Sequence, residues 1–153
     1  MDDDTLRAFW KRCMLGFCRS MFSADLGHRN AEEVLARTWR DFGAFAAEAL
    51  KDESAEATPR AAAELDMRLA EALRAQASIE ENGDGEVVSR WDWCPLWEEM
   101  KALRIEKAFI CVGACDRLSA ELAKAVGEDV TFERGNEMPR GGACEKIWKG
   151  KVT

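Results

Sequence analysis

The sequence predicts an α+β protein in which N-terminal helices pack on a small antiparallel sheet of about four strands, with two further helices. In residues 1–77 the apolar side chains recur three and four residues apart, which is typical of helices. In residues 78–153 short runs alternate with turn residues, which is typical of strands. A chain of 153 residues, 47% of them hydrophobic, can bury a real core. We therefore expect a single domain, with a helical part over 1–77 and an α+β part over 78–153.

The first predicted helix covers about residues 6–21. Its apolar stripe consists of Leu6, Phe9, Trp10, Cys13, Met14, Phe17 and Met21. We interpret Cys13 and Cys18 as packing residues, because buried free cysteines are common. The stripe indicates either core packing or the contact surface of a homodimer formed through this helix.

Two further helices follow in the N-terminal half. Asn30 is typical of an N-cap, with His28 in the preceding surface turn. The expected buried face of this helix is Leu35, Trp39, Phe42, Phe45, Ala46 and Ala49. A polar linker over 51–57 leads to Thr58-Pro59, a capping residue followed by proline at the first helical position. The expected buried face of the third helix is Leu65, Leu69, Ala72 and Leu73.

The second half begins with a hairpin. The runs 78–81 and 86–91 flank Asn-Gly-Asp-Gly at 82–85, which predicts two antiparallel strands. A helix is predicted from Cys94-Pro95, with Leu96, Trp97, Met100 and Leu103 on one face. Further strands are predicted at 108–112, 130–134 and 143–151, and a helix around Leu118 that ends at Gly127.

Composition excludes several classes of function. The net charge of −7 argues against nucleic-acid binding, which needs a basic face. His28 is the single histidine, so no site that needs two histidines is present. No apolar run reaches the length of a membrane span, and residues 2–4 are acidic where a secretory signal would be basic. We expect a cytoplasmic protein without membrane contact, whose six cysteines are thiols rather than disulfides.

The cysteines are the candidate chemical groups. Cys94 precedes Pro95 at a predicted helix start, where backbone N–H groups and the helix dipole lower the pKa of a thiol. It is therefore the preferred nucleophile, and close packing beneath Trp91, Trp93 and Trp97 is the alternative. Cys115 and Asp116 lie at the next helix start, where Asp116 is either an N-cap or a carboxylate that holds a cation or moves a proton.

A metal site is a second interpretation of the same cysteines. Cys94, Cys111, Cys115 and Cys144 would supply three or four thiolates if they meet in space. No pair of these cysteines has the two-residue spacing of zinc or iron–sulfur motifs, so the sequence supports a metal site only weakly. The cofactor is therefore unknown, with a cysteine-held metal ion as one candidate.

The second half resembles the L-2-amino-thiazoline-4-carboxylic acid hydrolase family over about residues 85–148. The matching features are Cys94-Pro95 after a strand, a turn that bears cysteines at 110–116, the Phe132-Glu133-Arg134 strand, and a late Cys144-Glu145 after Gly141-Gly142. The family cysteine of the turn corresponds either to Cys111 or to Cys115. The resemblance implies hydrolytic opening of a cyclic isothiourea.

That chemistry assigns roles to several residues. Cys94, or water activated by a carboxylate, would attack the amidine carbon, and Asp116 or Glu145 would hold the substrate cation. Arg134 or Arg140 would bind the substrate carboxylate, and Trp93 and Trp97 would line the site. Cys115 would assist in catalysis. The competing hypothesis is a non-catalytic module that binds a small ligand or a metal, as a sensor or accessory subunit.

Overall fold

The computed structural model describes residues 28–52, 55–83, 85–102 and 113–151, with side chains from residue 32 onwards. In chain order the elements are α1 (His28–Leu50), α2 (Pro59–Leu73), β1 (Gln76–Glu81), β2 (Val87–Trp93), α3 (Pro95–Ala102), α4 (Cys115–Val126), β3 (Val130–Arg134), α5 (Met138–Gly141) and β4 (Cys144–Gly150). The α+β prediction is confirmed. The predicted first helix, with its dimer contact, and the predicted strand at 108–112 lie outside the described residues, as do Leu103 and Cys111.

Helix α1 packs along α4. The two helices lie close together at Gly43, because a Cβ atom built there would lie 2.8 Å from the backbone Cα and oxygen of Leu118. The predictions for four residues of this helix are wrong. His28 and Asn30 lie in helical backbone rather than in a turn and at an N-cap. Phe45 is 66% exposed, because the contact face passes through Gly43, Ala46 and Ala47. Ala49 is exposed for the same reason.

Helix α2 begins and ends at local signals that the sequence contains. The Thr58 hydroxyl accepts a hydrogen bond from the Ala61 N–H at 3.2 Å, and Pro59 occupies the first turn, as predicted. The helix ends at Arg74, whose φ of 58° is left-handed, and the Arg74 N–H donates to the carbonyl groups of the last turn. Leu65 and Leu69 are buried, whereas Ala72 and Leu73 are only partly buried.

The sheet has four antiparallel strands in the order β1-β2-β4-β3. The predicted β1–β2 hairpin is confirmed, and Gly85 with a φ of 76° takes a turn conformation that favours glycine. Strand β4, which comes last, lies between β2 and β3. The segment 135–142, between β3 and β4, contains the short helix α5.

The two faces of the sheet differ. Alternate residues of β2 and β4 are buried beneath the helices, and these are Val87, Ser89, Trp91, Lys146 and Trp148, with Cys144 half-buried at the strand end. The core between sheet and helices also contains Leu65, Leu69, Leu118, Leu122 and Val130. The opposite face carries charged residues such as Arg90, Glu145 and Lys149. No helix in the described part of the chain is both long and apolar enough for a membrane span.

Candidate functional site

A small cavity lies where α2, α3 and α4 meet the end of the β2–β4 pair. Its lining consists of Leu69, Leu73, Trp91, Cys94, Leu96, Cys115, Leu118, Met138, Cys144 and Lys146. The volume open to the centres of water molecules is about 50 Å³. At roughly 10–15 Å³ for each water, this is room for about four waters, or for one compact molecule of similar size. The lining is almost entirely apolar, and three of the side chains that form it are cysteines.

The three thiols come from distant parts of the sequence. Cys94 connects β2 to α3, Cys115 is the first residue of α4, and Cys144 is the first residue of β4. All three are half-buried and free of disulfides. The three side chains line one cavity, but among the described residues they do not form a group that could hold a metal ion.

The pKa values of two thiols are raised rather than lowered. Burial raises the pKa of Cys94 and outweighs the backbone N–H groups of Trp97 and Leu96, which lower it. The helix-start argument identified the correct N–H groups but omitted this burial. Burial also raises the pKa of Cys115 to about 12, with smaller contributions from charge on Cys94 and Cys144. Both groups are protonated thiols at neutral pH, which weakens the case for Cys94 as the nucleophile.

Arg134 contacts the thiol of Cys144. Its Nη1 lies 2.7 Å from the Cys144 Sγ, and its Nε donates to Asp116 Oδ1 at 2.7 Å. A second guanidinium nitrogen, Nη2, also contacts that oxygen. Burial raises the pKa of Asp116 although Arg134 lowers it, and Asp116 is a partner of Arg134 rather than an N-cap. Burial lowers the pKa of Arg134, but its neighbours Cys144 and Asp116 raise that pKa by more, so the guanidinium stays charged.

A buried ion pair at the cavity wall was not predicted from the sequence. Lys146 is 3% exposed and Asp66 is fully buried, and the Lys146 Nζ donates to Asp66 Oδ1. Asp66 Oδ2 accepts from the Ser89 hydroxyl at 2.6 Å and from the Trp91 indole N–H at 2.8 Å. The Trp148 indole N–H donates to Ser89 Oγ at 2.9 Å. The sequence does contain a signal for this pair, because each charged residue occupies a position on the apolar face of its element. Asp66 lies beside Leu65 on α2, and Lys146 lies between Cys144 and Trp148 on the inner face of β4.

Asp116 and Arg134 lie outside the cavity lining, although Arg134 contacts Cys144, and four other predicted site residues lie away from the three thiols altogether. Glu145 points to the opposite face of the sheet, where its carboxylate accepts from Arg90 at 2.7 Å. Arg140 is 81% exposed and pairs with Glu137. Trp93 is 38% exposed, and neither it nor the half-buried Trp97 lines the cavity. The structure therefore does not bring these four to the three thiols.

In residues 28–52, 55–83, 85–102 and 113–151, no group of three or more His, Cys, Asp or Glu side chains could hold a metal ion. Cys111 lies outside these ranges, so the four-cysteine site stays a prediction. Comparison with family models, with curated proteins and with solved structures gives no match to this chain.

Proposed function

We propose that this protein binds a small, uncharged, mostly apolar molecule in the cavity lined by Cys94, Cys115 and Cys144. The observation that carries the proposal is the convergence of these thiols, from three separate elements, on one small apolar space. Concave apolar sites with a few polar groups are the usual form of small-molecule sites.

The charges around the cavity favour an uncharged ligand. Lys146 is paired with Asp66, and Arg134 is paired with Asp116. A charged ligand would enter a poorly solvated space in which each of these charges already has its partner. Burying an unpaired charge is strongly unfavourable, so a neutral molecule fits best.

An apolar probe tests this proposal. Cyclopentane should shift the indole N–H resonance of Trp91 in a saturable NMR titration, because Trp91 lines the cavity. In a Leu73→Phe variant the larger wall residue should fill the space and abolish the shift. Phe45→Leu is the control, since Phe45 is exposed elsewhere. An unsaturable shift, or an equal shift in the filled variant, would contradict the proposal.

A second candidate function is the hydrolysis suggested by the family resemblance, with Cys144 as the nucleophile in place of Cys94. The contact between Arg134 and the Cys144 sulfur favours it, because the guanidinium is a ready counter-ion for a thiolate. The Cys144 sulfur would add to the amidine carbon of a 2-aminothiazoline, and the ring C–S bond would break, with the departing sulfur taking a proton. Water would then add to that carbon and release the cysteine thiol and an open-chain urea.

The hydrolase interpretation has a specific difficulty. Arg134 and Asp116 were expected to hold the substrate carboxylate and cation, but they hold each other. A charged substrate would have to separate this pair. For this reason we place non-catalytic binding first.

Ring opening can be measured directly. The protein is incubated with 2-aminothiazoline-4-carboxylate, removed by filtration, and the new small-molecule thiol is quantified. In the hydrolase interpretation, Cys144→Ser abolishes product and Cys94→Ser, the matched control, retains it. No product from the unmodified protein would exclude this reaction and leave the binding proposal standing.

A further inference from the structure

A groove rich in arginine lies between α1 and α4. Its lining consists of Glu33, Ala36, Arg37, Arg40 and Arg117, and its volume is about 300 Å³. It shares no residue with the thiol-lined cavity. Positions 33, 37 and 40 lie on one face of α1 at helical spacing, and Arg117 lies in the first turn of α4. The groove is therefore basic, in a chain whose net charge is −7.

Two of these arginines differ from most others in the described residues, which form ion pairs. The arginines with a carboxylate partner are Arg40, Arg60, Arg68, Arg90, Arg134 and Arg140. Arg37 and Arg117 are exposed, and neither has a carboxylate partner in the part of the chain that the structure describes. Both nevertheless line the same groove. Two unpaired guanidinium groups at one groove repel each other, so an anion between them would relieve this repulsion.

We propose that this groove binds the phosphate group of a small molecule through Arg37 and Arg117. A phosphate ester has a charge of about −1.5 to −2 at neutral pH, which matches two unpaired guanidinium groups. Each guanidinium presents parallel N–H donors to a pair of oxygens. A carboxylate has one such pair, whereas a phosphate ester has three terminal oxygens and can accept from both arginines at once.

The surroundings narrow the ligand class further. Glu33 also lines the groove, and its carboxylate disfavours a second negative charge on the ligand. A nucleic-acid backbone needs an extended basic face, whereas this groove is formed by a few residues of an acidic chain. The expected ligand is therefore a small phosphate monoester whose remainder is uncharged. This site is independent of the cavity, so the proposal goes beyond the function proposed above.

Two probes of the same shape and different charge test the proposal. Methyl phosphate is a dianion at pH 8, and methyl sulfate is a monoanion. Each is titrated at constant ionic strength, and the backbone N–H resonances of Arg37 and Arg117 are followed by NMR. Methyl phosphate should give a saturable shift at one site for each chain, with a Kd at least about tenfold lower than that of methyl sulfate. Inorganic phosphate is a third probe. A Kd equal to that of methyl phosphate would show recognition of the phosphate group alone, which overturns the ester as the ligand.

Variants test the two arginines. Arg37→Gln and Arg117→Gln should each raise the Kd of methyl phosphate about tenfold, which is the size of a hydrogen bond between charged groups. Arg140→Gln is the matched control, because it removes the same charge from an exposed residue that pairs with Glu137 outside the groove. All three positions are exposed, so an unchanged urea midpoint should show that each variant is folded.

Three results would overturn the phosphate site. The first is a shift that does not saturate, and the second is equally tight binding of methyl sulfate. The third is a Kd in both groove variants that stays within about twofold of the value for the unmodified protein.

Discussion

The pair Asp66–Lys146 allows a quantitative test of how the core is stabilised. In Lys146→Met the Asp66 carboxylate stays buried with only the neutral donors of Ser89 and Trp91. Removing one partner of a buried ion pair typically costs about 3–5 kcal/mol. With a urea dependence of roughly 2 kcal/mol per molar, the unfolding midpoint should fall by about 2 M. Asp66→Asn alone should cost a similar amount, because it leaves the Lys146 ammonium buried without its counter-ion.

The double variant, Asp66→Asn with Lys146→Met, separates charge pairing from simple loss of packing. The introduced asparagine keeps an oxygen that accepts from Ser89 and Trp91, and the introduced methionine has a side chain of similar length without charge. We expect the double variant to lose only about 1–2 kcal/mol, far less than the sum of the two single changes. Urea unfolding followed by tryptophan fluorescence measures the stability of the two single variants and the double variant. Lys149→Met is a surface control, and its free energy of unfolding should lie within about 1 kcal/mol of that of the unmodified protein. If the double variant loses as much free energy of unfolding as the two single variants together, the reasoning is refuted.

Three further predictions concern other parts of the fold. Gly43→Ala should lower the free energy of unfolding by about 1–3 kcal/mol despite the better helix propensity of alanine, because the added Cβ would meet the Leu118 backbone at 2.8 Å. Gly83→Ala is the control and should change the unfolding midpoint little, because no atom lies within 4 Å of the added Cβ. Thr58→Ala should lower the stability by about 1 kcal/mol through loss of the N-cap, and an unchanged thermal midpoint would contradict this. Iodoacetamide should modify Cys115 slowly up to about pH 9, since its pKa of about 12 keeps it protonated, and fast labelling in peptide mass spectra at pH 8 would disprove the burial argument.

The elements that the sequence predicted best have strong local signals. Thr58-Pro59 marks the start of α2, and Asn82-Gly83 with Gly85 marks the β1–β2 turn. These signals act within a few residues, so they need no knowledge of the tertiary fold. Phe45 was misplaced because the contact face of α1 depends on how closely α4 approaches at Gly43, which is a property of the packed pair.

The site was predictable only in part. Three of the cysteines do line one cavity, but their burial, which raises the pKa of Cys94, depends on the folded structure. The placement of Glu145 could have been derived from the sequence, because neighbouring residues of a strand point to opposite faces and Cys144 points inward. The pairing of Asp66 with Lys146 could not, because 80 residues separate them and each alone is typical of a solvated surface.

The strand order has a consequence for how this chain folds. The interior strand β4 is the last one in the described chain, although it joins the β1–β2 hairpin to β3. The hairpin is local in sequence and can form as soon as residues 76–93 have been synthesised. Strand β3 has no strand partner, and Asp66 has no counter-ion, until residues 144–150 have been synthesised. The sheet therefore cannot be completed before this strand has been synthesised, and until then the edge of β2 that pairs with β4 has no strand partner.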